Sequence, residues 1–476
     1  MPIKPPLRAF SGIPAGLERP VNKATRVSLV EIADVLIEQL TPALCQAVFK
    51  RVRKTERERK WTLTAIAHFW TAMAVHHPPS LGSGLNETRK RNREELWPRV
   101  MAEPQAFFEK CAGLRADFFH ALFNGFNDRL RKSARPTYAS WLEDVRENFP
   151  KVQVIDGSKL DAVARRLKLL WPVRFSVLPG CMTVVYDLFT GMAEQAHFEG
   201  DAASNERARA PEIIGQLHAG TLLLGDRMYC LVQTFHQLNS LGAYGIFRLS
   251  AILKVKRIAV LNSFQDGRRF CEDVLVEVGC GATQPKVRLR LIRYREGRYS
   301  LDLLTNVVQV EKLPAQTAVR LYGMRWTIER MFLSLKKTLR LHCLYGSHPN
   351  LVAQQFYATM MVYNVFRVAQ AEIASEHNLL PEQLSPERLF PKLAEATRNY
   401  ALARWQEIRI RELNPGVPIK FPDLRKMPKG NTSLGSILAE HRARTRKPPK
   451  KMLYPRVRSL TKVPGGTRLL ATVSDG

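Results

Sequence analysis

Three carboxylates and a cluster of phosphate-seeking side chains stand out in this chain for their surroundings. Asp156 lies in Val-Ile-Asp-Gly-Ser and Asp226 in Leu-Leu-Gly-Asp-Arg, each at the end of an apolar run that reads as a buried strand. A carboxylate there is costly unless a positive charge offsets it. Gly157 and Gly225 beside them leave room for a backbone or a ligand to approach. Taken alone, each Asp also suits a turn cap at a strand end, a common use of Asp-Gly. Glu329 shares a helical pattern with Tyr322, Arg325 and Lys336. At roughly 100° per helical residue these four fall within about 60° of one another. A face carrying a phenol, a guanidinium, a carboxylate and an ammonium, interrupted only by Trp326 and Leu333, is a poor apolar seam. It suits phosphate and metal ions. The alternative is a solvated stripe in which Arg325 and Glu329 form an (i, i+4) pair contributing roughly a few tenths of a kcal/mol.

Such residues meet only if strands and a helix bring them together. Strand-like runs at 152–156, 174–178, 183–189 and 192–198, a helical pattern at 205–217 and a buried strand at 221–225 give the order of a mixed sheet covered by helices. Five more strand-like runs, 245–249, 257–261, 273–278, 286–294 and 299–307, follow with nothing helical between them, as an all-β block inserted into the sheet domain. The spacing then predicts one helix over 315–340, and further helices over 349–376 and 381–413 with a break at Pro391. Upstream, residues 20–145 read as all-α. Ser28 and Glu31 make a capping box, Thr41-Pro42 opens a second helix, 61–75 ends at Pro78-Pro79, and more helix is expected over 87–132.

At 476 residues the chain corresponds to about three units of roughly 150 residues. With 45% hydrophobic and 24% charged residues it can bury large cores, which excludes global disorder. Lys and Arg number 73 against 43 Asp and Glu, a net charge of +30, so a polyanionic partner is expected. No apolar run approaches the roughly 18–20 residues that would cross a bilayer, and the N-terminus lacks a secretory h-region, so no membrane role is expected and the cytoplasm is the default. Seven scattered cysteines without a Cys-x-x-Cys pair read as reduced, mostly buried thiols. Basic clusters at 51–60 and 89–93 lie in the helical region and make it the candidate for contact with a polyanion, the alternative being a solvated charged face. From 441 to 470 there are ten Lys or Arg and no acidic residue, a basic flexible tail adding salt-sensitive affinity.

The spacing Tyr322-x2-Arg325-x3-Glu329-x6-Lys336, with Asp156 in Asp-Gly-Ser and Asp226 in Gly-Asp-Arg-Met-Tyr, resembles the Tyr/Arg/Glu/Lys signature of bacterial insertion-sequence transposases of the DDE type. The resemblance covers about residues 150–370 and implies an α/β, ribonuclease-H-like core. That core is a mixed five-stranded sheet with helices, interrupted by a mostly β insertion. Around it the expected organisation is a helical N-terminal DNA-binding domain (20–145), the first part of the catalytic domain (150–242), the insertion (243–312), the catalytic helix and domain end (313–375), a helical C-terminal region (376–440) and the basic tail (441–476). The resemblance further implies Asp156, Asp226 and Glu329 as catalytic residues and ligands of two Mg²⁺ ions, with Mn²⁺ able to substitute. Two such ions about 3.5–4 Å apart can activate an oxygen nucleophile and neutralise a leaving alkoxide. Tyr322, Arg325, Lys336 and, more weakly, Arg227 would contact DNA phosphates. The substrate would be double-stranded DNA, the terminal inverted repeats and a target, handled by a homodimer assembled on DNA at the bacterial nucleoid. Family members can form a hairpin intermediate with a flipped base stacked on a Trp of the insertion. Here the only Trp between Asp226 and Glu329 is Trp326 on the helix, leaving Tyr294 or Phe247 as substitutes. A nuclease without strand transfer and a catalytically silent DNA-binding regulator are the competing readings.

Overall fold

The computed structural model describes residues 20–21, 35–52, 59–90, 95–160, 180–200, 206–279 and 285–413. The Ser28–Glu31 capping box, the strand expected at 174–178, the basic positions 53–58 and 91–93 and the tail from 441 lie outside these residues.

The N-terminal region is mostly helical, although Pro20–Val21 pairs antiparallel with Tyr138–Ala139, a short ladder that the all-α reading of 20–145 did not include. It contains α1 (Pro42–Val52), α2 (Leu63–His76), α3 (Leu81–Arg89), α4 (Pro104–Gly113) and α5 (Ala116–Leu130). The Thr41 hydroxyl accepts from the Leu44 N–H at 3.1 Å and Thr62 from Ala65 at 3.1 Å, satisfying amide donors that a helix start leaves open. Of the described residues between Arg89 and Pro104, 90 and 95–103, none is helical, so the helices expected over 87–132 are the end of α3, α4 and α5. A short helix, α6 (Glu143–Asn148), leads into the sheet.

Nine strands form one sheet among the described residues: β1 (Val152–Lys159), β2 (Cys181–Asp187), β3 (Ala193–Glu199), β4 (Leu222–Gly225), β5 (Tyr244–Arg248), β6 (Val255–Asp266), β7 (Arg269–Val278), β8 (Val287–Glu296) and β9 (Tyr299–Thr305). Their order is β3-β2-β1-β4-β5-β9-β8-β7-β6. The pairs β1/β4 and β4/β5 are parallel and the others antiparallel. The five strands read as an inserted block, β5 to β9, do not form a separate layer, and β5 itself pairs in parallel with β4. β9 bonds the edge of β5, aligning Leu304 with Phe247, because the apolar edge of β5 would otherwise be open. The parallel centre requires cover on both faces. Val154 belongs to a core shared with the N-terminal helices, while Ile155 on the opposite face packs in a second core with Leu223, Phe235 and Phe247. The helices α7 (Ala210–Gly215) and α8 (Val232–Ser240) cover that second face.

After the sheet come α9 (Ala315–Gly323), α10 (Trp326–Leu333), a π-helical turn (Ser334–Thr338), α11 (Pro349–Glu376) and α12 (Pro386–Leu413). Every residue of α11 from Leu351 to Ser375 is buried, so its polar side chains need internal partners. Gln354 accepts from the Trp70 indole at 2.9 Å, and Asn364 donates to Asn127 at 2.9 Å, fastening the N-terminal helices to this central rod. Pro391 does not break α12, contrary to expectation. It stands within two turns of the helix start, and buried Leu389, Phe390, Leu393 and Ala394 hold the backbone around it.

Candidate functional site

Asp156 sits where β1 leaves the interior. The strand does not end there, as the sequence suggested, but runs on to Lys159 along β2; parallel pairing with β4 stops at Ile155 and Gly225, and burial stops with it. One edge of β1 is therefore open beside Asp156. The Gly157 N–H donates to Asp156 Oδ1 at 2.9 Å, leaving Oδ2 directed at the helices. Asp226 follows directly on β4 and caps a short 3₁₀ turn, its Oδ1 accepting from the Arg227 N–H at 2.7 Å. The turn-capping role is thus real, and it leaves the other carboxylate oxygen available for a further partner. Gly225 is needed for packing: a Cβ there would meet the Phe247 ring at 2.9 Å and Ile155 at 3.2 Å.

The expected single helix over 315–340 is three pieces. Past Gly323, a poor helix former, the Arg325 N–H bonds the Tyr322 carbonyl at 3.1 Å and Thr327 bonds Met324 at 2.9 Å, so the turn tightens to i→i+3. At Ser334 it widens, with the Leu339 N–H reaching the Ser334 carbonyl five residues back at 2.9 Å. A tight turn followed by a wide one partly offset each other, and both Arg325 and Lys336 still reach β1. Buried Ser334 donates to the Arg330 carbonyl at 2.9 Å, the side chain-to-backbone bond that often accompanies a distorted helix.

Arg325 bridges the cluster. It starts α10, is only 8% exposed, and donates from Nη1 to Asp156 Oδ2 at 3.0 Å and from Nη2 to Glu329 Oε1 at 3.2 Å. Two carboxylates far apart in sequence thus flank one guanidinium. Burial alone would lower the Arg325 pKa, but the fields of Tyr322, Asp156, Glu329 and Asp226 outweigh it and hold the charge firmly in place. Asp226 also acts on Tyr322, whose hydroxyl is pushed far above the usual phenol range, first by burial. Lys336 donates to Ser158 Oγ at 2.6 Å and to the Lys159 carbonyl, tying the helix to β1 three residues beyond Asp156. Arg227 is exposed beside Asp226.

The structure gathers Asp156, Glu329 and Arg325 by direct contact, holds Lys336 to β1 through Ser158 and Lys159, and brings Asp226 and Tyr322 into the same field. Phe247 cannot serve as a stacking platform: it is wholly buried, with Phe235 edge-on at 5.5 Å. Tyr294 is half-buried and its hydroxyl donates to Glu296. Of the basic clusters, the described Arg89 is spent on the Ala102 carbonyl and Lys90 on Glu87. Sequence reasoning passed over Ser158, although it is part of the Asp-Gly-Ser run. It also missed the brace behind the helix, where Arg330 donates to the Glu382 carbonyl at 3.1 Å and Glu382 Oε1 receives buried Arg367 at 2.5 Å. No sequence pattern links those positions.

The donor set suits a hard divalent cation, since carboxylate oxygens are what Mg²⁺ prefers. Two of the carboxylates, Asp156 and Glu329, are paired with the Arg325 guanidinium. In this arrangement no three His, Cys, Asp or Glu side chains among the described residues lie close enough to enclose a metal. No described helix is long and apolar enough to cross a membrane.

Residues 179–365 match the family described as the transposase DDE domain. That span includes Asp226 and the whole Tyr322–Lys336 cluster and begins after Asp156. The chain is also 25% identical over 158 residues to the Sinorhizobium fredii protein named "Putative transposase y4zB", an alignment covering 32% of this chain and 44% of that one. The chain thus spans under half the length of this curated relative.

Proposed function

We propose, for a chain that carries a transposase DDE domain and resembles insertion-sequence DDE transposases, that it binds the terminal inverted repeats of its element, cuts the ends by phosphodiester hydrolysis and joins the freed 3′-hydroxyls to target DNA. The observation that carries this reading is the Arg325 bridge, which brings the carboxylates of Asp156 and Glu329 to one guanidinium beside the field of Asp226. The order β3-β2-β1-β4-β5, antiparallel then parallel, supports a ribonuclease-H-like core extended by the β insertion. The domain boundaries given above are part of the proposal.

Asp156, Asp226 and Glu329 would hold the Mg²⁺ ions, Mn²⁺ substituting. When bound, such ions activate an oxygen nucleophile and stabilise the leaving oxygen. Arg325, with its planar fork, grips a phosphate from two sides, and Lys336 adds a point charge. Tyr322, buried and held protonated, donates a hydrogen bond to a phosphate oxygen without carrying a charge of its own. Arg227 extends the contact along the backbone. Two ends joined in one event require two active centres, hence a homodimer on DNA, and the N-terminal helices would read the repeats.

Inverted repeats in the DNA flanking the gene supply the substrate. With Mg²⁺, the protein is expected to cut duplexes ending in them and to join the ends to a second DNA. Asp156→Asn, Asp226→Asn and Glu329→Gln each lower cutting by on the order of 10³-fold or more while DNA binding persists. Cutting without joined products would favour the nuclease, and cutting unchanged in all three variants would remove the assignment.

A further inference from the structure

We propose that Arg325 is a latch on the carboxylate centre: in the DNA-free protein its guanidinium occupies the place between Asp156 and Glu329 that a divalent cation needs, and a DNA phosphate that captures the guanidinium opens that place. This rests on the reading of the centre given above and concerns its regulation. The latch has two sides, Nη1 on Asp156 and Nη2 on Glu329, so a cation cannot bridge these carboxylates without displacing it or lying against a like charge. It is anchored at a joint, since Arg325 begins α10 immediately after the tightened turn. It also has somewhere to go. The guanidinium already lies 5.2 Å from the Trp326 ring centre and 5.9 Å from that of Tyr322, and aromatic faces hold a guanidinium released from carboxylates. Its Nε–H, buried with no acceptor among the described residues, is a donor that a phosphate oxygen would satisfy.

A phosphate competes well because the same planar fork fits carboxylate and phosphate alike. The exchange moves one positive charge from the carboxylates to the nucleic acid, and the carboxylates regain their affinity for a cation. Coupling of this kind is reciprocal: the factor by which DNA tightens cation binding equals that by which the cation tightens DNA binding. The device would keep the protein metal-poor away from DNA.

Mn²⁺ titrated into the DNA-free full-length protein, with the unbound ion followed by electron paramagnetic resonance, tests it. Arg325→Gln is expected to bind Mn²⁺ at least tenfold more tightly than the wild type, and Arg325→Gln/Asp156→Asn to lose that gain. Arg325→Lys, whose single ammonium reaches one carboxylate at a time, is expected to fall between wild type and Arg325→Gln, and it carries the test if the Gln variant does not fold. Equal affinity in the wild type and the Arg325 variants overturns the latch, as does a gain that Asp156→Asn leaves untouched. Equal affinities together with loss of DNA cutting in Asp156→Asn would remove the latch and keep the function. Unimpaired cutting in Asp156→Asn would remove both.

Discussion

Arg290 is sealed from water, and all of its partners are protein. It donates from Nε and Nη2 to the two oxygens of Asp273, at 2.9 and 2.6 Å, and to the carbonyls of Val307, Gln309 and Leu313. Both side chains are at most 1% exposed. The pair ties β8 to the connection that leads into α9, the helix immediately before the α10 segment that carries Arg325 and Glu329. Removing one partner strands a buried charge, whereas replacing both with apolar groups need not. Asp273→Ala is expected to cost about 3–5 kcal/mol in urea unfolding, and Asp273→Leu/Arg290→Met to recover most of that loss. A double variant no more stable than Asp273→Ala would contradict the argument. Sequence reasoning did not single out this pair. The run Val-Arg-Leu-Arg-Leu-Ile-Arg-Tyr-Arg alternates, which puts Arg290 beside exposed Arg288 on an outward face. The strand instead lies between β7 and β9, and Arg290 is drawn inward by a carboxylate and three carbonyls contributed from other segments.

The elements show the same division between local and long-range information. Strand-like runs at 152–156, 183–189, 192–198 and 221–225 lie close to β1 through β4 because buried alternation and β-branched residues are local signals. The joining of β9 to β5, and the turns that tighten at 325 and widen at 334, depend on contacts from distant segments, and the period of the sequence does not contain them. Asp156, Asp226 and Glu329 stood out by residue type and position, and the Arg325–Glu329 pair follows from its i, i+4 spacing, whereas the reach of Arg325 across to Asp156 could not be read from the sequence. Gly225 illustrates how an element positions the site. Adding one methyl at the end of β4 forces Phe247 or Ile155 to yield, and Asp226 follows directly in the chain. Gly225→Ala is therefore expected to cost about 1–3 kcal/mol and to lower DNA cutting beyond what the stability loss explains. Wild-type cutting, assayed well below the melting temperature of the variant, would show that Asp226 tolerates the shift.

At the scale of the whole molecule, one hydrophobic core runs from the N-terminal helices through one face of the sheet to α11, so the region expected to read DNA and the region expected to cut it share their packing. Ionisable groups caught in this packing set its response to acid. His197 on β3 lies beside His120 of α5 with ring centres 4.9 Å apart, and Arg209 and Glu212 are its other charged neighbours. Burial, aided by His120 and Arg209, lowers the His197 pKa to about 4, against an opposing pull from Glu212. Because the folded value is depressed, the stability it supports is fully present above about 6.5 and is lost as pH falls toward 4, where the unfolded chain binds the proton first. Asp187 acts the other way: burial and then Glu194 raise its pKa to about 6, so its contribution is full below the usual Asp value and disappears as pH rises through 6. Between pH 6.5 and 4 the two partly offset, and the histidine is isolated by substitution. His197→Asn is expected to flatten the decline in unfolding free energy across that window by about 2–3 kcal/mol, measured by urea denaturation at half-unit pH steps. A slope identical to that of the wild type would mean that His197 finds a proton-stabilising partner in the folded protein, and that the acid sensitivity of the shared core resides in other groups.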